Sequence, residues 1–298
     1  MKITDLIKKP PRSLIALLVL LLASALVAAS AYPLKLKDQF AREVVIPKEP
    51  KRIVSCSPGA TETLFALGLD ERIVGVTNWC NYPEKAKDKP KIGDITPLNV
   101  EKVVALAPDL VVAHELNGKE AVERLAELGL PVLALRPTGF AEIIDSIRLL
   151  GAATNRCDAA EALARRLEET ISRVGKKGAN LKKRGLKVFI ALGWNPSWTA
   201  GPGSYLDEAV RLAGAENIAH ELGAPWGQMN VETVLARNPD VILTDGDPER
   251  IYADPLWKNV AAIQKKQVYR LIGDEFYRPG PRLLKALDEL ARILEGCS

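Results

Sequence analysis

The chain has 298 residues, 47% hydrophobic and 26% charged, which fits one large or two ordinary globular domains and excludes a disordered or fibrous chain. The formal charge is +4, but Lys2, Lys8, Lys9 and Arg12 against Asp5 put most of that in the first 31 residues and leave about +1 for the rest. A basic tract for nucleic acid is therefore not supported.

Residues 1–31 read as a secretory signal or an uncleaved anchor. A positive start is followed by the apolar run Leu14 to Ala29 and the small-residue pattern Ala29-Ser30-Ala31. Either reading puts residue 32 onward outside the cytoplasmic membrane. Export permits disulfides. Four cysteines, Cys56, Cys80, Cys157 and Cys297, allow three pairings. Cys56 and Cys80 end neighbouring strand-like segments, so that pairing is favoured.

Residues 32–51 suggest a linker and an edge hairpin. Arg52 to Cys56 is a β-branched strand, Ser57-Pro58-Gly59-Ala60 a turn, and Thr61 to Leu67 a helix stopped by Gly68. Arg72 to Thr77 is a second strand, followed by an aromatic loop carrying Trp79 and Tyr82. The stretch Asn99 to Leu110 then gives a short helix, a Pro-Asp break and a strand ending at His114. Glu120 to Leu128 is helical and Val132 to Leu135 extended. Strands alternating with helices imply a parallel sheet covered on both faces.

From Ala141 to Leu181 the pattern is helical and charged, broken near Asn155-Arg156. Its second part, about Asp158 to Ala179, reads as one stiff helix joining two halves. Leu186 to Leu192 restarts the strand pattern. Aromatic loops follow with Trp194, Trp198 and Trp226, then a strand at Val241 to Leu243 and another at Gln267 to Leu271. A last loop holds Asp274, Phe276, Tyr277 and Arg278, and a last helix runs from Arg282 to Leu294. The segments are 1–31 leader, 32–155 first lobe, 156–184 bridging helix and 185–298 second lobe.

An internal repeat supports two lobes. Asn99-Val100-Glu101 to Pro108-Asp109 returns 131 residues later as Asn230-Val231-Glu232 to Pro239-Asp240. That offset is too long for a solenoid, whose periods run about 20–50 residues. Glu101 and Glu232 then occupy matched places. They read either as acids favoured by a helix start or as acidic knobs, one per lobe, for a two-fold partner with basic sockets.

In open parallel sheets, ligands bind beyond the carboxyl ends of the strands. Trp79, Tyr82, Trp194, Trp198, Trp226, Phe276 and Tyr277 concentrate there, although the chain is only 5% aromatic. Such faces suit a broad, rigid, partly apolar ligand. Asp274, Arg278 and Arg282 either contact polar ligand edges or pair with one another. His114 ends a strand and is either a ligand-facing or a structural histidine. No nucleophile-base arrangement is evident, and no clustered cysteines or histidines mark a metal site.

Between residues 50 and 295 the sequence resembles class III extracytoplasmic solute-binding proteins, the receptors of ABC importers. The residues that carry this are Arg52-Ile53-Val54-Ser55, Ser57-Pro58, Thr61-Glu62, Leu67-Gly68, Val74-Gly75-Val76, Asn81-Tyr82-Pro83 and Pro108-Asp109-Leu110-Val111. Trp198-Thr199-Ala200-Gly201, Gly214 to Ile218 and Arg278-Pro279-Gly280-Pro281-Arg282 add to it. It is most similar to the cobalamin receptors. The resemblance implies two Rossmann-like α/β lobes joined by one long helix, no catalytic activity and no cofactor of its own. It implies a monomer delivering a cobalamin-type corrinoid to a permease dimer with its ATPase subunits, through Glu101 and Glu232. Trp79, Trp198, Trp226 and Asp274 match corrin-contacting positions. Family alternatives are haem, with His114 or Tyr277 as axial ligand, and ferric siderophores; a more distant one is a metal-cluster enzyme subunit on a similar fold.

Overall fold

The computed structural model describes residues 32–193, 198–271 and 273–297. The leader at 1–31 and Trp194 lie outside these described residues.

The chain enters through an antiparallel hairpin, β1 (Leu34–Lys37) and β2 (Glu43–Ile46), in register Leu34 to Ile46. The first lobe then builds β3 (Ile53–Ser55), α1 (Pro58–Ala66), β4 (Ile73–Val76), α2 (Val100–Ala105), β5 (Leu110–His114), α3 (Lys119–Glu127) and β6 (Val132–Leu135). Its four strands are parallel, in the order β4-β3-β5-β6. All of β3, β5 and β6 is buried, as a parallel sheet covered on both faces requires. The β6 edge is closed by the hairpin turn: Gln39 N–H donates to the Ala134 carbonyl at 3.2 Å and Arg42 to the Val132 carbonyl at 3.1 Å. That removes an open edge.

Two helices follow: α4 (Phe140–Thr154) and α5 (Cys157–Leu181). Arg72 donates to the carbonyls of Pro50 and Thr154 at 3.1 and 3.3 Å, which ties the end of α4 to the base of the first lobe. From there α5 runs its 25 residues, about 37 Å at 1.5 Å per residue, to a turn directly before the next sheet.

The second lobe contains β7 (Lys187–Ala191), β8 (Trp198–Ala200), α6 (Tyr205–Leu212), β9 (Glu216–Asn217), β10 (Trp226–Gln228), α7 (Val231–Arg237), β11 (Val241–Thr244), α8 (Pro248–Tyr252), α9 (Ala261–Gln264), β12 (Val268–Arg270) and α10 (Leu283–Gly296). Its parallel sheet has the order β12-β11-β7-β9. Numbered within its own lobe, each sheet reads second-first-third-fourth. The repeated Asn-Val-Glu helices, α2 and α7, each precede the third strand. The lobes are therefore two copies of one plan. The second adds a short antiparallel ribbon, β8 with β10, pairing Trp226 with Ala200 and Gln228 with Trp198.

A continuous apolar core joins the lobes through α5. Ala160, Leu163, Ala164, Leu167 and Val174 form its buried stripe, at the three- and four-residue spacing of one helix face. Gly178 of α5 meets the end of α6 backbone to backbone, and a Cβ there has no room against the Leu212 carbonyl. Among the described residues no helix is long and apolar enough to cross a membrane.

The expected Cys56–Cys80 disulfide is not formed. All four cysteines are free, and Cys56 and Cys80 are both buried. The Cys80 sulfur instead accepts the Thr61 hydroxyl at 3.1 Å and is hydrogen-bonded to the Thr77 hydroxyl at the same distance. Adjacent strand ends thus bury both thiols without bonding them.

Gly178→Ala forces α5 off α6. Overpacking of this kind costs about 1–3 kcal/mol, so urea unfolding should show that loss, whereas unchanged stability would mean the helices separate freely.

Candidate ligand-binding cleft

A cleft of about 780 Å³ opens between the lobes. On the first-lobe side its lining follows the strand ends: Ser57 after β3, Trp79 after β4, His114 closing β5 and Leu135 closing β6. The opposite wall is Tyr205, Trp226, Asp274, Tyr277 and Arg278. Parallel strands that all end at one rim put both lobes' loops around the same space.

The two indoles are held differently. Trp79 is 59% exposed, an unusually bare large apolar side chain. Trp226 stands edge-on to Tyr205, with ring centroids 5.6 Å apart at 62°. The buried Tyr205 hydroxyl donates to the Phe276 carbonyl at 3.2 Å, which fixes that support. The Tyr277 hydroxyl is buried and has no hydrogen-bond partner among the described residues. Burial pushes the phenols of Tyr205 and Tyr277 up from their ordinary range, so both remain protonated at neutral pH.

The polar groups sit together at the floor. Arg278 pairs with Asp274 at 2.7 Å and donates to Asn81 Oδ1 at 2.7 Å and to the Trp79 carbonyl at 3.0 Å. Asn81 returns a bond to Asp274 at 3.2 Å. The Asp274 carboxylate is thus gripped by one group from each lobe. Of the two readings of Asp274 and Arg278, mutual pairing is present, and it leaves both residues on the cleft lining.

His114 is buried, and desolvation pushes its pKa down to about 4. Its Nδ1 accepts the Leu116 N–H at 3.1 Å. In the neutral ring the proton is therefore on Nε2, the nitrogen left over. That tautomer offers the cleft a donor rather than a lone pair.

Tyr82 and Trp198 are not among the cleft-lining residues. The Tyr82 ring lies under the Arg282 guanidinium, 4.2 Å from centroid to carbon. Trp198 is half exposed on β8, where two main-chain bonds with Leu192 and the pairing opposite Gln228 fix its position. Glu101 and Glu232 are both exposed, in the first turns of α2 and α7 behind the caps Asn99 and Asn230. Each helix runs toward the start of its third strand, so both acids lie on the side of their lobe that carries the cleft. Local sequence pattern does not mark Asn81, Tyr205 or Glu62 as site residues. A glutamate in the small, apolar first helix was the available signal for Glu62.

The sequence from residue 53 to 274 matches the model of the periplasmic binding protein family Peripla_BP_2. The chain belongs to this family. The vitamin B12-binding protein of Pectobacterium carotovorum is 32% identical over 251 residues, covering 84% of this chain and 90% of that protein. The solved vitamin B12-binding protein BtuF of Vibrio cholerae superposes with a TM-score of 0.74 at 26% identity, covering 83% and 97% of the two chains. The heme-binding protein RhuT of Roseiflexus, solved without ligand, gives 0.72 at 27% identity, covering 82% and 97%. This periplasmic binding protein has the fold of both, so the fold by itself does not select between their ligands.

His114 gives a pH test. An unfolded histidine takes a proton near pH 6.5, and the buried one only near pH 4. Its contribution is present above pH 6.5 and is lost as the pH falls toward 4, by up to about 3 kcal/mol. The unfolding free energy of His114→Gln should fall less steeply between pH 7 and 4 than that of the parent protein; equal slopes would place the imidazole in water.

Proposed function

We propose that this chain is an extracytoplasmic receptor that captures a cobalamin-type corrinoid between its lobes and delivers it to the permease of an ABC importer. The observation that carries this reading is the cleft itself: about 780 Å³, with an indole on each wall and one charged cluster at the floor. That volume suits a single large organic ligand. An indole on each wall favours a flat macrocycle with apolar area to cover, and Asp274 with Arg278 supplies orientation at its polar edge. The vitamin B12-binding relatives support the same choice.

Haem is the second reading, supported by the heme-binding structural neighbour. Haem iron is commonly held by a histidine nitrogen lone pair or a tyrosinate. Here the His114 lone pair is taken by a backbone amide and the Tyr277 phenol is held protonated by burial. A corrinoid carries its own axial base and asks for neither. These features favour the corrinoid.

In this reading the protein works as a monomer without turnover, outside the cytoplasmic membrane. Glu101 and Glu232 meet basic sockets on the two permease subunits, whose ATPase partners drive release.

Calorimetry should give one cyanocobalamin per chain, and hemin should give no shifted Soret band; a shifted Soret band without corrinoid binding would overturn the choice. Trp79→Ala should weaken cyanocobalamin by about 1–3 kcal/mol, with Trp198→Ala nearly silent; the reverse order would move the ligand onto the β8–β10 ribbon. Glu101→Ala with Glu232→Ala should leave affinity intact and reduce uptake in reconstituted vesicles, and a lost affinity instead would remove both acids from docking.

A further inference from the structure

The first helices of the two lobes, α1 and α6, are built alike. Ser57 caps α1 by accepting the Ala60 N–H at 3.4 Å, and Ser204 caps α6 by accepting the Asp207 N–H at 3.2 Å. One turn further on, each helix carries a glutamate, Glu62 or Glu208, and each reaches the opposite lobe. Glu62 is 2% exposed. It accepts Arg282 Nε at 2.9 Å, Arg282 Nη2 at 2.7 Å and Arg278 Nη1 at 3.3 Å, all from the second lobe. Glu208 accepts the Phe140 N–H at 2.7 Å, in the first turn of α4. Phe140 is the first residue of that helix, so its N–H has no partner within the helix, and a helix start favours an anion.

We propose that Glu62 and Glu208 form a reciprocal pair of struts that hold the walls of the cleft at one spacing, with or without a ligand. Glu62 is thereby a positioning residue for Trp79 and Asp274. The bonds to Glu62 are charge-assisted, hence the strong kind. The same Arg278 that grips Glu62 also holds the Trp79 carbonyl and Asp274, so the carboxylate sets both sides of the floor at once. Backbone contact reinforces it: a Cβ on Gly59 would lie 2.6 Å from the Pro279 carbonyl oxygen. Opening the cleft breaks both struts together, one on each lobe's first helix. The two crossing points supplement α5, which joins the lobes elsewhere. The importance of the spacing for binding rests on the corrinoid reading above; the spacing itself does not.

Small-angle scattering of the ligand-free protein tests the struts directly. E62Q and E208Q keep side-chain size and remove the charge. The parent should scatter identically with and without cyanocobalamin. Each variant should show a larger radius of gyration when empty, returning to the parent value with cyanocobalamin. Its affinity should fall about tenfold if the binding-competent fraction drops to about a tenth. Unchanged scattering of both empty variants would overturn the proposal, even if affinity fell, because a local role then suffices. Should E62Q fail to fold, E208Q carries the test, since Glu208 is only half-buried and bonds to a single main-chain amide. If the parent does not bind cyanocobalamin, the empty-state comparison still decides the struts, and the corrinoid reading alone fails.

Discussion

Burial of one apolar stripe, from Ala160 to Val174 on α5, sets the geometry on which the rest depends. An isolated helix of this sequence has little reason to persist in water, since most helix stability comes from packing. Here α4 and α10 cover it, and ion pairs such as Arg148 with Glu161 at 2.9 Å and Lys177 with Glu295 at 3.0 Å flank the seam. Surface pairs like these add little; the apolar contact is what counts. Because α5 runs from the base of one lobe to the base of the other, the separation of the sheets follows from a fixed helical rise. A loop connection would leave that separation free.

A fixed separation explains why the chemistry is distributed as it is. Walls that cannot travel far must meet a broad guest with broad surfaces, and indoles provide area at little entropic cost. Charge is kept to the floor, where Asp274 is already paired with Arg278 and hydrogen-bonded to Asn81. His114 and Tyr277 remain neutral at physiological pH because burial opposes their ionised forms. The cleft therefore offers neutral aromatic walls over a self-compensated polar base.

The sequence exposed the parts of this arrangement that are local. The Asn-Val-Glu repeat kept its register across 131 residues because the same capped helix precedes the same strand in both lobes. Strands β3 to β6 are short, mostly apolar runs between turn residues, and α5 is long and periodic, so both could be read from a window of residues. The β8–β10 ribbon could not: three-residue strands centred on Thr199 and Gly227 have no pattern of their own and exist by pairing with each other. Contacts across 216 or 220 residues, such as those from Arg278 and Arg282 to Glu62, leave no local trace. The same limit explains Tyr82 and Trp198. An aromatic in a post-strand loop can line the cleft or pack beside it, and the choice is made by partners far away, in Tyr82's case Arg282 of the other lobe. Proximity of strand ends likewise pointed to a Cys56–Cys80 bond where threonine hydroxyls occupy the Cys80 sulfur instead.

The most direct measurement is a crystal structure of the protein grown with cyanocobalamin. The account predicts the corrin ring between Trp79 and Trp226, its polar edge against Asp274, and an inter-lobe spacing unchanged from the ligand-free molecule. A corrinoid bound outside the cleft, or an empty cleft at saturating ligand, would contradict it.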